Sequence, residues 1–284
     1  MSDRPPAVAV VTVTYRSAAD IEPFLKSVAS ASPTTPVFVV DNPSEQSGET
    51  IQLAERWGAQ VVRLPENVGY GSAVNAAAKR IDPAIPFLLV SNPDVRLHQG
   101  AIEALVSALE RRTDAGSIGP RILNEDGSVY PSARQIPSLR TGVGHALFFR
   151  IWPRNPWTRR YRDEGSPTTA TRDVGWLSGA ALLVRRSAFD QIGGFDERYF
   201  MYFEDVDLGY RLGRAGWKNA YEPAATVTHT GAQSTTSVRA QMLRAHHRSA
   251  QRFLDRKYAA WYLAPVRWTV HIGLDLRAWW LTRR

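Results

Sequence analysis

The strongest constraint on the fold is an alternation that runs through the first 120 or so residues of the 284-residue chain. Ala7–Thr14 is an apolar, β-branched run and reads as a buried first strand. Pro36–Val40 is a second, Gln60–Leu64 a third and Pro86–Val90 a fourth. Segments with helical spacing lie between and after them. One follows Ser17-Ala-Ala-Asp20, which resembles a capping box, and carries Ile21, Leu25 and Val28 on one face. Another runs through Ile51 and Trp57, an Ala-rich one follows Asn67–Asn75, and a fourth spans roughly Ala101–Arg112, before a strand at Ser117–Ile118. Strands alternating with helices predict an α/β fold whose sheet is mostly parallel and covered by helices. Polar residues collect where the strands end, at Thr14, Asp41, Asn92 and Asp94. In open α/β sheets ligands bind at that carboxyl edge.

A second cluster of acids lies in Phe200–Trp217. Glu204, Asp205 and Asp207 follow an aromatic run directly, and Leu208, Leu212 and Ala215 then recur at helical spacing up to Gly216. The three carboxylates therefore belong in the first turn of a helix, where unpaired N–H groups and the helix dipole favour negative charge. Asp207 is placed to pair with Arg211 one turn on. Glu204 and Asp205 face an aromatic wall instead, which raises a carboxyl pKa and suits a general base. Between the two acidic regions, residues 124–173 are irregular, and His145–Arg162 mixes five aromatics with five arginines, as a lid, a membrane-facing loop or a plain surface loop would. Val174–Arg185 reads as one strand entering the core and Ala225–Gly231, with His229, as a further strand or loop.

The formal charge of +8 is not spread evenly. Residues 236–284 hold nine Arg and one Lys against Asp255 and Asp275, so 10 − 2 = +8, and the rest of the chain is neutral. This tail also holds four of the nine Trp. It divides at Pro265. Met242, Ala250, Phe253, Leu254 and Tyr258 share one side of a first helix, and Val266–Leu281 forms a second with a narrow polar stripe of Arg267, His271 and Asp275. That profile fits a helix lying in a membrane interface or docked on a partner, as well as one packed on the protein's own core. The organisation expected is thus a main domain over 1–235 and a basic, Trp-rich helical tail over 236–284. Cysteine is absent, which excludes a disulfide framework, a thiolate zinc site and a Cys nucleophile. No uncharged apolar run has membrane-spanning length.

Several chemistries fail on their motifs. Gly69-Tyr70-Gly71 follows a strand, but Val74 stands where a dinucleotide fingerprint needs its third glycine. No Gly-Lys-Ser/Thr, Gly-x-Ser-x-Gly or His-Glu-x-x-His occurs. The first strand runs into Thr14-Tyr15-Arg16-Ser17, without the Gly-rich basic loop of a nucleotidyltransferase. A nucleic-acid binder built on the basic tail conflicts with the neutral main domain. The acids fit nucleotide-sugar transfer better, since that reaction needs a nucleotide pocket, a cation on the diphosphate and a separate base.

Six segments in order, Val10–Tyr15, Val39–Ser44, Asn67–Gly71 with Asn75, Ser91–Asp94, Trp176–Ala181 and Phe195–Leu208, resemble glycosyltransferase family 2 in its rhamnosyltransferase-like branch, over about residues 7–235. The resemblance implies a GT-A fold and an inverting single displacement. It implies a nucleotide-sugar donor (dTDP-rhamnose) and a polyprenyl-diphosphate-linked N-acetylglucosamine acceptor in cell-wall synthesis, with the chain cytoplasmic and peripheral at the inner membrane face. By the same likeness Thr14, Tyr15, Asp41, Asn67, Gly69, Asn75, Asn92 and Asp94 contact the nucleotide sugar. Asp94 and His229 hold Mg2+ or Mn2+, and Asp205 is the base with Glu204 beside it. The metal motif departs from the family's Asp-x-Asp, because Asn92-Pro93-Asp94 offers one carboxylate and a neutral amide.

Overall fold

The structure, a computed structural model, describes residues 6–138, 152, 170–231 and 239–282, with side chains in the last segment limited to 245–274. The aromatic and arginine-rich loop of 145–162 lies outside the described residues except for Trp152. Chain order begins β1 (Val8–Thr14), α1 (Ala18–Ala31), β2 (Val37–Asp41), α2 (Ser47–Arg56), β3 (Gln60–Arg63), α3 (Tyr70–Ala78), β4 (Phe87–Ser91), β5 (Val95–Leu97), α4 (Ala101–Arg111) and β6 (Ala115–Leu123). Short strands β7 (Val129–Tyr130) and β8 (Ala133–Arg134) follow, then β9 (Arg172–Val174), β10 (Trp176–Leu177) and β11 (Ala181–Arg185). The chain continues through α5 (Arg186–Gln191), α6 (Glu204–Arg214), β12 (Lys218–His229), α7 (Arg239–Lys257) and α8 (Ala264–Thr282).

One large sheet runs β3-β2-β1-β4-β11-β6-β12-β5. Its first four strands are parallel, as the alternation predicts. The other half is mixed: β11 is antiparallel to β4 and β6, β12 is parallel to β6, and β5 returns antiparallel to β12. Adjacent residues of β1 serve opposite faces. Val10 packs with Phe24, Leu25 and Leu105, while Val11 packs with Val74, Phe189 and Phe195. That is why the run is apolar throughout instead of alternating. The pairing register sets Thr14 beside Asp41 and Thr12 beside Ser91, so the ends of three parallel strands form one rim.

Three local readings need correction. Ser17 makes no capping bond to the first turn of α1; its hydroxyl exchanges hydrogen bonds with the Tyr15 backbone N–H and C=O instead, at 3.3 and 3.2 Å. The segment 174–185 is not one strand. A Cβ at Gly175 would meet Ile136 N at 2.2 Å, so glycine lets residues 135–136 press against the chain there, and Ser178 N–H turns away to donate to Ser132 O at 2.7 Å. Finally, β12 is longer than read and ends at His229, with an irregularity between Glu222 and Thr226 around Pro223.

Asn75 also takes a place that its motif conceals. Its side-chain amide donates to Phe195 O at 2.9 Å and to Glu197 at 3.2 Å, and its carbonyl oxygen accepts Phe195 N–H at 2.9 Å. Both ends of the amide are occupied by protein, and the side chain clamps the 195–197 loop beneath the rim. Substituting Asn75→Ala strands a buried N–H and C=O, each costing about 1–3 kcal/mol. We expect a loss of roughly 2–4 kcal/mol in urea unfolding with no change in the isolated secondary-structure signal.

Candidate active site

At the first end of the rim, Thr14 Oγ1 donates to Val40 O at 3.3 Å and lies 3.4 Å from Asp41 Oδ1. Asp41 is buried, which pushes its carboxyl up, while hydrogen bonds from Ser47 and Thr14 pull it back. Tyr15 is half exposed, and the Arg16 guanidinium stacks on its ring at 5.4 Å. Asn42, next to Asp41, bridges to the following loop: its amide donates to Gly69 O at 3.3 Å and accepts Val68 N–H at 3.2 Å. Asn67 turns inward and accepts Gly69 N–H at 3.0 Å. Gly69 is obligatory twice over. Its φ is +86°, and a Cβ would lie 2.2 Å from Phe200 O.

In the middle of the rim, Asn92 N–H donates to Ala180 O at 2.9 Å, and the Asp94 carbonyl, in the turn from Asn92 to Val95, accepts Thr230 N–H and Oγ1–H, both at 2.9 Å. These bonds draw the end of β12 onto the Asp94 turn. They bring His229 Nε2 to 3.1 Å from Asp94 Oδ1. Two atoms bound at adjacent corners of an octahedral cation, about 2.1 Å from it, lie about 3 Å apart. The pair therefore fits a hard divalent cation that takes its other ligands from water and phosphate oxygens. Among the described residues no group of three or more His, Cys, Asp or Glu converges on one point. Asp20 joins this region too. Burial raises its carboxyl and Asp94 adds to the rise, while Arg96, 3.8 Å away, opposes it.

The other wall is the start of α6, and here the helix begins as expected. Asp205 Oδ2 accepts Gly179 N–H at 3.0 Å, and Oδ1 accepts Val206 N–H at 2.8 Å. Burial raises the Asp205 carboxyl; those backbone N–H groups and the Arg134 charge work the other way. Glu204 differs. Its Oε2 is buried with no hydrogen-bond partner, and burial, then the Asp205 charge, pushes its carboxyl up to about 8. Asp207 is fully buried and paired with Arg211 at 2.6 Å, as its spacing implies. The turn into α6 is strained, since Tyr202 and Phe203 both hold left-handed φ angles, 68° and 65°, at about 1–2 kcal/mol each for residues with a Cβ.

Tyr70 links the three regions. Its hydroxyl donates to Gly179 O at 2.7 Å, and the peptide on the other side of Gly179 holds Asp205. Burial first, then the charges of Glu204, Asp205 and Asp94, hold the phenol protonated. Asp94 and Asp205 thus lie around one side chain, and only Gly179-Ala180 separates the backbone bonds of Asn92 and Asp205. Thr14, Tyr15, Asp41, Asn92, Asp94, Glu204, Asp205 and His229 share this rim. Asn67 and Gly69 shape its loop, and Asn75 lies beneath it. Sequence reasoning missed Tyr70, Gly179, Asn42 and Asp20. Tyr70 and Gly179 stood inside recognised motifs, but nothing local tells a bridging phenol from a core one.

A family model described as glycosyltransferase like family 2 matches residues 5–247. The chain is 47% identical over 285 aligned residues to the N-acetylglucosaminyl-diphospho-decaprenol L-rhamnosyltransferase of Mycobacterium tuberculosis, covering 96% of this chain and 92% of that one. It is 30% identical to the rhamnosyltransferase WbbL of Escherichia coli over 60% of this chain and 62% of that one. In fold it resembles a mannosyltransferase of Pyrobaculum calidifontis solved with GDP-Man and Mn2+, with a TM-score of 0.59 at 14% identity over 97% of this chain and 71% of that one. The GT-A sheet, the rim of acids and these likenesses agree: the chain belongs to the glycosyltransferase family 2 group of enzymes.

Proposed function

We propose that this protein is an inverting rhamnosyltransferase that moves L-rhamnose from dTDP-L-rhamnose to a polyprenyl-diphosphate-linked N-acetylglucosamine in cell-wall polysaccharide synthesis. The observation that carries the reading is the unequal treatment of two adjacent carboxyls. Asp205 accepts two backbone N–H bonds at a helix start, which favours its anion. Glu204 Oε2 has no partner and keeps its proton at neutral pH. With two backbone N–H groups already aimed at its oxygens, beside a carboxyl that lacks a partner on Oε2, Asp205 is the better placed of the two to act as base. Sugar and acceptor follow the name of the Mycobacterium tuberculosis relative; the nucleotide follows the family resemblance.

In this reading the acceptor hydroxyl attacks the anomeric carbon from the face opposite the diphosphate. Its proton passes to Asp205, and the sugar–oxygen bond breaks with its electron pair leaving on the diphosphate. Asp94 and His229 would hold Mg2+ or Mn2+, which when bound neutralises charge on the leaving group. Thr14 and Asp41 would receive the nucleoside, and Tyr70 bonds the carbonyl of Gly179, the residue whose N–H would orient the base.

The lipid acceptor implies a membrane surface, and α8 fits one. Two of its polar residues are used inward: Arg267 and His271 lie 3.4 and 3.3 Å from Asp255 of α7. Its outer side exposes Val266, Trp268 and Ile272, next to Trp261 and Tyr262 of the preceding turn. Arg248 and Arg252 are also exposed on α7. Apolar residues outward with arginines near them suit an anionic bilayer at the inner membrane face. No helix among the described residues is long and apolar enough to cross a membrane.

Transfer is tested by incubating the protein with a panel of nucleotide sugars, with and without a polyprenyl-diphosphate sugar, and following nucleoside diphosphate release. Asp205→Asn should cut turnover by about 10²–10⁴-fold at nearly constant donor affinity, whereas Asp94→Ala should weaken donor binding in the presence of metal; normal turnover by the first variant removes the base assignment. Glu204 binds its proton up to about 8 when folded, against 4.5 as reference. The folded chain therefore holds more protons than the unfolded one between those values, and stability should fall as pH rises through that window. A melting series from pH 5 to 9 should show that fall in the wild type and a flatter profile in Glu204→Gln (about 4.5 to 8 being the responsive range). Replacing Trp261 and Trp268 by Ser should abolish flotation with phosphatidylglycerol vesicles while activity on a short, soluble acceptor persists.

A further inference from the structure

The turn that launches the base is held from outside by the tail. Residues 200–203 carry two consecutive aromatic side chains on left-handed backbone. Such a conformation persists only where its surroundings over-determine it. On the inner side the Phe200 carbonyl accepts Tyr70 N–H at 3.1 Å. The rest of the mould is α7. Ser249 Oγ donates to Met201 O at 2.8 Å. The Phe253 ring, fully buried, packs 5.8 Å from Phe203 and 5.6 Å from Tyr210. His246 stands edge-on to Tyr202 and Phe203 at 5.5 and 5.3 Å. One turn beyond Phe253, Arg256 pairs with Asp196 before the strained turn and, at 3.1 Å, with Asp207 two residues after the base.

From these contacts we infer that α7 is a positioning element for Asp205, with Ser249 and Arg256 its positioning residues, and that the tail is therefore part of the catalytic apparatus as well as a support for α8. The inference rests on the proposed transfer reaction for its activity test, but not for its structural one. The backbone of 201–203 sets the direction in which α6 starts, and α6 carries Asp205 in its first turn. Ser249 fixes that backbone at a carbonyl. Arg256 ties the two flanks of the turn, Asp196 and Asp207, to one guanidinium. A simple tether would have no reason to bury a ring and an arginine against the catalytic helix.

The test uses the full chain with a short-chain prenyl-diphosphate N-acetylglucosamine in detergent micelles, where attachment to a bilayer is irrelevant. Ser249→Ala and Arg256→Gln should each lower kcat by about 10- to 100-fold, since a misplacement near 1 Å costs about that much, while donor KM stays within about two-fold. Arg256→Lys should recover part of the loss. Amide hydrogen exchange over residues 199–207 should quicken in Ser249→Ala, a change small enough to leave the fold intact. Unchanged kcat and unchanged exchange in Ser249→Ala overturn the inference. So does a pattern in which the variants fail only on vesicles, which is what a tether alone would give. If the wild type transfers no sugar from any donor, the proposed function fails instead, and the exchange measurement by itself decides the role of α7.

Discussion

The architecture depends on accommodating several acids within one small, partly dry rim. Asp20, Asp41, Asp94, Glu204, Asp205 and Asp207 are all buried or nearly so. Like charges at such separations cannot all be ionised without compensation. The protein resolves this locally, and differently at each acid. Asp207 takes two arginines. Asp205 takes backbone N–H groups. Asp94 takes His229 and a neighbouring Arg96. Glu204 leaves its Oε2 without a hydrogen-bond partner, and burial pushes its carboxyl up. The pairing of Asp94 with His229 at 3.1 Å is the one arrangement among these that a divalent cation could also bridge, which is why the proposed diphosphate and its metal are assigned to that part of the rim.

The parallel half of the sheet was legible because two periods differ so strongly: an apolar run for a strand buried on both faces, and a spacing near 3.6 for its helices. The start of α6 was legible for a similar reason, since three acids before an apolar helical pattern have few other uses. The second half was harder. Gly175 packs against residues about 40 positions earlier and Gly179 lies between Tyr70 and Asp205, so 174–185 is divided among three strands by contacts that no local pattern announces. Asn75 illustrates the limit well. An asparagine after a Gly-rich loop looks the same whether it meets a ligand or a loop 120 residues away. Here it meets the loop.

In the tail, composition locates the charge but not the use each arginine is put to. Its charge excess is real, yet Arg256 and Arg267 are spent on Asp196, Asp207 and Asp255, so the tail is less free to bind anions than its formal charge implies. Charge counting could not show this, because the acids that absorb Arg256 belong to the neutral main domain. The partition at residue 235 follows composition; the packing of Phe253 and Ser249 runs across it.

The two tail helices then have opposite orientations for one physical reason. α7 buries its aromatic side against the catalytic turn and leaves arginines outside. α8 turns Arg267 and His271 to Asp255 of α7, and its Trp268 and Ile272 side chains face outward. In water that arrangement leaves apolar area unburied; against a bilayer the same area is buried at about 25 cal/mol per Å2. On the proposed function, a bilayer would therefore stabilise the outer helix, which meets the inner one through Asp255, and the inner one packs on the turn that leads to Asp205.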